Sequence, residues 1–345
     1  MKALKNLNFK TLYSKYQRFF VFLVIVLAMT LMQPGVFLTA KNFSSILLAI
    51  SVYGIMVCGT IFVVLLGGID LSVASLSALC GVVCVKVIVA MNYSVVGVLL
   101  GILAALIVGA LCGVMHGFII SRFGVPAFLL TYATSSMFKG IAQVICDNKT
   151  INCLYSDFFS FIGGGRLLGI PMSVWIMLVF AVISWFVLNK TLLGRQIYAV
   201  GGNREAAGLA GVPTKKIIFT GYAVSGITAA VSGIVLASMI EMATYSNASG
   251  YESNVMTAII VGGGSMLGGV GTIQGALLGA LLVGTVSNGL TLMSVPSTYH
   301  DMVKGIVIII AVAADAFKRY RDSGLSRFHF NFLKKKKAVS SKEAG

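Results

Sequence analysis

An aspartate flanked by two glycines and a serine interrupts one of the most apolar parts of the chain. Residues 67–75 read GGIDLSVAS. A carboxylate at the start of a helix can accept hydrogen bonds from free backbone N–H groups and meets the positive end of the helix dipole. A carboxylate inside a membrane can instead line or gate a transport path. The sequence leaves both roles open, and the candidate path or gate residues are Gly67, Gly68, Asp70 and Ser72.

The other ionisable residues do not form a pattern that indicates an enzyme. The ten Asp and Glu residues lie mostly near the ends of apolar segments, and the histidines at 116, 300 and 329 are far apart. The sequence has no H-E-x-x-H motif and no G-x-x-x-x-G-K-[ST] phosphate-binding loop. We therefore predict no catalytic residue, no metal site and no cofactor in this chain. If the protein drives active transport, the energy must come from another chain.

Composition identifies the elements that must position these residues. Of the 345 residues, 58% are hydrophobic and 10% are charged, and the mean hydropathy is +0.96. A water-soluble domain could not bury so much apolar surface, so we predict an all-α membrane protein. Apolar runs long enough to cross ~30 Å of hydrocarbon lie at about ten positions. They are residues 16–33, 46–66, 71–91, 95–119, 125–145, 172–189, 217–240, 253–265, 273–292 and 301–317, and the eighth is short.

The distribution of charge predicts how these spans are oriented. Basic residues concentrate before the first span, between the sixth and seventh, and after the tenth. Ten spans put these segments on one side, and the positive-inside rule assigns that side to the cytoplasm. We expect a basic cytoplasmic N-terminus at 1–18, a transmembrane domain at 19–317 and a basic cytoplasmic tail at 318–345. The net charge of +16 then reflects topology and attraction to anionic lipid headgroups rather than a nucleic-acid partner.

The longest internal cytoplasmic segment, about residues 190–216, has the features of a docking site for a soluble partner. Asn203 can cap a short helix that carries Glu205 in its first turn, where an acid favours the positive helix end. Gly211 would end this helix, with Pro213 just past the stop. Such a helix can bind a partner, or the segment can be a simple connector. The candidate coupling residues are Gly201, Gly202, Asn203, Glu205, Ala206, Ala207 and Gly211.

A second glycine-rich segment joins the eighth and ninth predicted spans. Its backbone can be non-helical and line a polar path, which a membrane tolerates where protein or water covers it, or it can form a tight turn. The path candidates are Gly263, Gly264 and Ser265. Asn288, in the ninth span, can hydrogen-bond a transported solute or hold a neighbouring helix.

Other small residues are interpreted as packing groups. Glycines recur at four-residue spacing, which is typical of close helix contact, at positions 109, 113 and 117 and at 271, 275 and 279. Cys146 and Cys153 flank a loop predicted to lie outside the cell, where a disulfide is possible.

Four segments of the chain resemble a known family. The stretch EAAGLAG, residues 205–211, fits the E-A-A-x-x-x-G loop with which importer permeases of the ATP-binding-cassette (ABC) class dock on their ATPase. GGIDLSVAS is similar to the G-G-I-D-L-S-V-G-S signature of the monosaccharide permeases in that class, the ribose-type family. The glycine-rich block from residue 262 and the segment YHDMVKGIVIIIAVAADAFKR resemble further blocks of that family. Ala74 stands where the signature usually has glycine, and residues 146–170 match least well.

The resemblance implies a multi-pass permease subunit in a bacterial inner membrane that translocates a ribose-like pentose or a hexose. Its implied partners are an ABC ATPase that binds ATP and Mg²⁺, an extracytoplasmic sugar-binding protein and a second permease copy, identical or related. Permeases for branched-chain amino acids or nucleosides share the general fold and are the alternative. A secondary carrier or channel is a further alternative, although too few ionisable groups are buried for a proton relay.

Overall fold

The structure is a computed structural model that describes residues 22–296 and seven scattered residues between 299 and 313. The predicted basic termini, 1–18 and 318–345, lie outside the described residues. So do the first residues of the first predicted span and most of the tenth.

Helices make up most of the described chain. Six are long and apolar enough to cross a membrane, namely α2 (Ala40–Leu65), α3 (Val73–Ala90), α4 (Val95–Phe123), α7 (Met172–Lys190), α10 (Thr214–Ile240) and α12 (Ile273–Leu292). The others are α1 (Phe22–Met32), α5 (Ala127–Ile145), α6 (Asp157–Gly164), α8 (Leu192–Gly202), α9 (Arg204–Leu209) and α11 (Tyr251–Val261). Four two-residue strands form two small antiparallel pairs, so the described chain is not entirely helical. β1 (Ile151–Asn152) pairs with β4 (Met242–Ala243), and β2 (Arg166–Leu167) pairs with β3 (Ile170–Pro171).

Helix α10 forms the centre of the bundle and packs against α2, α3, α4 and α6. Small residues make this close contact possible. A β-carbon on Gly226 of α10 would overlap the backbone of Gly109 and Gly113 on α4, and Gly117 lies equally close to Phe219. The four-residue glycine spacing in α4 therefore packs helices together, as its pattern predicts.

The surface of α4 that faces away from α10 is strongly apolar. Leu99, Leu103, Ile107 and Leu111 recur at four-residue spacing and are each at least half exposed. Helix α7 has a similar exposed apolar face. Exposed apolar side chains on helices of this length are typical of contact with lipid. The chain is therefore a multi-pass integral membrane protein.

The bundle has two ends, which we name from the connection between α2 and α3. The junction end contains the end of α2, the start of α3, the end of α4, and helices α8 and α9. The far end contains the turn between α3 and α4, the two strand pairs and α6. Loops at the junction end bring together most of the residues that the sequence singles out.

Two helix predictions differ from the structure for local reasons. Helix α2 begins at Ala40 rather than near residue 46, because Thr39 caps it by accepting a hydrogen bond from the N–H of Asn42 at 3.2 Å. Helix α11 has 11 residues and, at 1.5 Å per residue, is about 16 Å long. It is too short to cross the hydrocarbon core, so the eighth predicted span is a half-length helix. Helices α6 and α8 were not predicted.

Candidate functional site

The segment between α2 and α3 is a break in the helical path at the junction end. Gly67 adopts a left-handed conformation with φ of +76°, which glycine reaches without a steric cost. Thr131 of α5 holds the segment from the side. Its hydroxyl accepts from the N–H of Leu71 at 3.2 Å. The hydroxyl proton lies between two carbonyls, that of Ala127 in its own helix at 2.8 Å and that of Ile69 at 3.2 Å. The non-helical backbone is thus hydrogen-bonded within the protein, as a membrane interior requires.

Asp70 is buried in this break, with 3% of its surface exposed. One carboxylate oxygen accepts from the N–H of Ser72 at 3.0 Å and from the Ser72 hydroxyl at 2.7 Å. The other oxygen accepts from the hydroxyl of Ser225, on α10, at 2.8 Å. The carboxylate therefore connects the residue just before α3 to the central helix.

Two aromatic groups lie near the same carboxylate and interact with it electrostatically, His116 of α4 and Tyr222 of α10. The His116 ring is hydrogen-bonded to the Thr134 hydroxyl at 2.7 Å. The Tyr222 hydroxyl lies against Gly68 and has no hydrogen-bond partner among the described residues. No described Lys or Arg forms a salt bridge with Asp70.

These contacts satisfy the Asp70 carboxylate without any bound solute. They favour a structural role at the start of α3, where the acid pairs with a free amide. A gating role remains a separate prediction, because a residue that holds two helices together can also control their movement.

The second glycine segment meets the first at the junction end. The N–H of Gly269 donates to the carbonyl of Leu65 at 2.8 Å, and the Tyr198 hydroxyl of α8 donates to the carbonyl of Gly271 at 2.9 Å. A β-carbon on Gly201 would overlap the carbonyl oxygen of Leu65. We call this contact of three segments the glycine junction, and define it by Gly67–Gly68, Gly201–Gly202 and Gly268–Gly269.

The predicted path residues of the second segment lie beside the glycine junction. Gly263 has φ of +84° and follows the end of α11, and Gly264 packs against Ile259. The Ser265 hydroxyl accepts from the N–H of Leu267 at 3.1 Å and so shapes the turn. Gly271 precedes α12 and belongs to this turn rather than to the predicted helix-packing stripe, whereas Gly275 and Gly279 do pack against α11.

Helix α9 has the caps that the sequence predicts. The Asn203 side chain accepts from the N–H of Ala206 at 2.9 Å, and Gly211 has φ of +82°. The N–H of Gly211 donates to Gly208 and that of Val212 to Ala207, both at 3.0 Å. This pair of bonds is a Schellman motif, which ends a helix sharply.

The surface of α9 is open along most of its length. Glu205 and Ala206 are exposed, Ala207 is buried at 6% exposure, and Leu209 is 92% exposed. A β-carbon placed on Gly202 or Gly211 would meet no described atom within 4 Å outside its chain neighbours. Gly201 and Gly202 differ from the predicted coupling residues on α9 because they belong to the glycine junction, where Gly201 faces Leu65.

Asn288 lies apart from all of these residues, in the second half of α12 toward the far end. Its side-chain N–H donates to the Asn42 side-chain oxygen of α2 at 2.9 Å. Asn288 therefore joins α12 to α2, which is one of the two roles that the sequence leaves open. The same side chain also lines a polar cavity.

The sequence did not single out Ser225, Thr131 or Tyr198 as part of the site. A signal for Ser225 is present, because α10 carries small and hydroxyl residues at helical spacing, including Gly221, Thr228 and Ser232. Nothing local to Thr131 or Tyr198 indicates which distant backbone group each one contacts.

Cysteines and other possible metal ligands are dispersed. Among the described residues no group of three or more His, Cys, Asp or Glu side chains could hold a metal ion. Cys146 and Cys153 are buried free thiols at the far end. Burial, and secondarily the nearby Glu241, raise the pKa of the Cys153 thiol to about 11.

Comparison with known proteins identifies the family. A family model described as the permease component of branched-chain amino acid transport systems matches residues 42–312. The ribose import permease protein RbsC of Haemophilus influenzae is 37% identical over 305 residues, which cover 87% of this chain and 93% of RbsC. RbsC of Escherichia coli K12 is also 37% identical, over 86% of this chain and 92% of its own length.

A third relative is named for a different sugar. The L-arabinose ABC transporter permease protein AraH of Azospirillum brasilense is 35% identical over 87% of this chain and 86% of its own length. No solved structure matches the chain significantly. Because the family model spans most of the chain and the relatives align over nearly all of it, the chain belongs to this family of transport-system permease components.

Proposed function

We propose that the chain is the membrane permease subunit of an ABC importer and that it translocates a monosaccharide, a ribose-like pentose or a hexose. The observation that carries the proposal is the similarity to permeases named for ribose and L-arabinose over 86–87% of the chain. The GGIDLS segment supports it, because this segment resembles the signature of monosaccharide permeases. Permeases for branched-chain amino acids or nucleosides are not favoured by these relatives.

The substrate proposal is tested by uptake in cells that express the chain with the ATPase and binding protein of its own system. We expect accumulation of labelled D-ribose or L-arabinose that excess unlabelled sugar suppresses and excess leucine does not. Accumulation of leucine without accumulation of either sugar would contradict the proposal and favour the amino-acid alternative.

For the mechanism, we propose that α9 receives the movement of a partner ATPase and passes it to the glycine junction. Helix α9 is capped at both ends, is exposed, and follows α8 after Asn203. Helix α8 touches Leu65 through Gly201 and the turn before α12 through Tyr198. Backbone contacts this close leave little room for independent motion, so a displacement of α9 would reach α2 and α12 together.

The coupling proposal is tested with Glu205→Lys. Reversing an exposed charge in the first turn costs a helix only about 1 kcal/mol, so the variant should insert and fold. We expect sugar uptake to fall at least about tenfold, the effect of losing roughly 1.4 kcal/mol of partner contact, while the ATPase subunit still hydrolyses ATP. Glu205→Gln, which keeps the size of the side chain, is the matched control and should retain more uptake. Normal uptake by Glu205→Lys would contradict the proposal.

We further propose that the chain crosses the membrane about ten times, with the junction end and both termini in the cytoplasm. The eighth crossing would consist of the half-length helix α11 and the glycine segment after it, which reaches Leu65 at the junction end. Basic residues support this orientation, because Lys190, Arg195, Arg204, Lys215 and Lys216 all lie around α8 and α9. An impermeant thiol reagent applied to intact cells should fail to label Leu209→Cys, at a position that is 92% exposed on α9, and should label Lys149→Cys. The opposite pattern would contradict the orientation.

The proposed partners are the ATPase, which binds ATP and Mg²⁺, an extracytoplasmic sugar-binding protein at the far end, and a second permease copy. Cross-linking of the purified importer, followed by mass measurement, should show two permease chains for each complex. A single permease chain in an active importer would contradict the dimer.

A further inference from the structure

A polar cavity lies between α2, α11 and α12, toward the far end of the bundle. Its volume is about 240 Å³, somewhat below the roughly 300–1,000 Å³ of common small-molecule sites. The polar side chains that line it are Tyr53, Tyr251, Asn254, Ser287, Asn288 and Thr291. These are amides, hydroxyls and phenols, and no lining residue carries a charge.

Two side-chain amides of this cavity have unpaired oxygens. Asn254 is only 7% exposed, and its side-chain oxygen has no hydrogen-bond partner among the described residues. The side-chain oxygen of Asn288 is also buried and unpaired within the described part of the chain. A buried polar group without a partner costs about 1–3 kcal/mol, so such groups are usually satisfied by water or by a ligand.

Neighbouring contacts hold the walls of the cavity in place. The amide nitrogen of Asn288 donates to Asn42 at 2.9 Å, which fixes the direction of its free oxygen. The Tyr53 hydroxyl donates to the carbonyl of Ala280 at 2.9 Å, and the rings of Tyr53 and Tyr251 meet edge to face with centroids 5.9 Å apart. The two amides therefore line a cavity whose aromatic walls are held in place by these contacts.

We propose that this cavity is a low-affinity site for the transported solute and that it accepts a neutral polyhydroxyl compound, such as a pentose, rather than an amino acid. The inference rests on the proposed importer function. Sugar hydroxyls can donate to the unpaired amide oxygens and accept from the Ser287 hydroxyl. The Thr291 hydroxyl donates its own proton to the Ser287 carbonyl at 2.9 Å, so its oxygen can accept from the sugar. An amino acid would bring an ammonium and a carboxylate into a site with no charge to pair them, which is costly.

Low affinity follows from the same residues. The cavity offers a few neutral hydrogen bonds, each worth about 0.5–1.5 kcal/mol, and these hold a small solute only briefly. A solute in transit must bind and leave, and tight recognition is assigned to the extracytoplasmic binding protein.

The first test measures occupancy of the cavity directly. Ser287→Cys is introduced into the complete importer, reconstituted in lipid nanodiscs, and its reaction with a small methanethiosulfonate reagent is followed. The parent importer measures the background from native cysteines. We expect D-ribose or L-arabinose at millimolar concentration to slow the reaction and leucine at the same concentration to leave it unchanged.

The second test removes one unpaired oxygen. Asn254→Leu keeps the size of the side chain, and removal of an unpaired buried polar group should leave the unfolding temperature unchanged or higher. We expect the protection of Ser287→Cys by sugar to disappear and sugar uptake to fall roughly two- to tenfold, the effect of one neutral hydrogen bond. If Asn254 only packs, Asn254→Leu would change the unfolding temperature without changing the protection of Ser287→Cys by sugar. Tyr251→Phe, which removes a hydroxyl from the cavity wall and keeps the ring that packs on Tyr53, is the second variant if Asn254→Leu fails to assemble.

Two results would overturn the inference. One is an importer that accumulates sugar while Ser287→Cys reacts equally fast with and without it. The other is protection by leucine and not by sugar. Protection by sugar in an importer that accumulates none would instead support the cavity and contradict the proposed function, so the two failures can be told apart.

Discussion

Substitution of Asp70 by asparagine and by alanine separates the two roles that this residue can have. The carboxylate accepts hydrogen bonds from the Ser72 N–H, the Ser72 hydroxyl and the Ser225 hydroxyl. Asparagine keeps an oxygen for Ser72, and its N–H₂ group can donate to the Ser225 hydroxyl once that hydroxyl rotates. Alanine leaves all three donors without their partner.

The number of hydrogen bonds to Asp70, combined with typical hydrogen-bond energies, gives the expected loss of stability for each substitution. Hydrogen bonds to a charged group contribute about 1.5–3 kcal/mol and those between neutral groups about 0.5–1.5 kcal/mol. Asp70→Asn weakens three bonds but also removes the cost of burying a charge, so we expect a net loss of about 1–2 kcal/mol. Asp70→Ala leaves three buried donors unpaired at about 1–3 kcal/mol each, so we expect a loss of more than about 3 kcal/mol.

The assay compares thermal unfolding of the purified permease with sugar uptake after reconstitution. In the structural role, Asp70→Asn unfolds a few degrees below the parent and transports nearly as well, whereas Asp70→Ala is strongly destabilised. Ser225→Ala is the matched control, because it removes one partner of the carboxylate and leaves the charge. Asp70→Asn with parental stability and no transport would refute the structural role and support a gate.

Three further predictions concern other parts of the chain. Asn203→Ala removes the cap of α9 and should cost that helix about 1 kcal/mol, with a matching loss of sugar uptake that Asn203→Ser restores; equal uptake by both variants would contradict a role for the cap. Gly226→Val forces a bulky side chain into the α4 backbone, at a typical overpacking cost of about 1–3 kcal/mol, and should lower the unfolding temperature; an unchanged unfolding temperature would contradict the close helix contact. Cys146 and Cys153 are free and buried, so reducing agent should leave the unfolding temperature unchanged. With a thiol pKa of about 11, only about one Cys153 in a thousand is ionised at pH 8, and maleimide labelling of the folded protein should be slow and should accelerate toward pH 11. Detection of a linked Cys146–Cys153 peptide would contradict the free thiols.

Local sequence patterns predicted most helices well because caps and apolar runs lie within the segments that they define. The predicted spans 71–91 and 273–292 correspond to Val73–Ala90 and Ile273–Leu292. The same holds for α9, whose cap at Asn203 and left-handed glycine at 211 are separated by only a few residues. Helix α2 was predicted too short because Asn42 and Ser45 look like loop residues, although their side chains bond to backbone carbonyls.

Contacts between distant segments could not be predicted from the sequence. Asp70 and Ser225 are 155 residues apart in sequence, and no local pattern connects them. The glycine pairs at 67–68 and 201–202 were predicted as path and coupling residues, and nothing local indicated that they meet each other and a third segment. The short helix α6 lies where the chain resembles its family least, and its sequence, DFFSFIGG, has too few polar residues to show a helical pattern.

Uptake of labelled D-ribose or L-arabinose into proteoliposomes tests directly whether this permease is part of an ATP-driven sugar importer. The permease is reconstituted with its ATPase and binding protein, and each component and ATP are omitted in turn. We predict accumulation against a gradient only when the permease, the ATPase, the binding protein and ATP are all present. Sugar that equilibrates across the membrane with the permease alone would contradict the importer function and would indicate a carrier or channel.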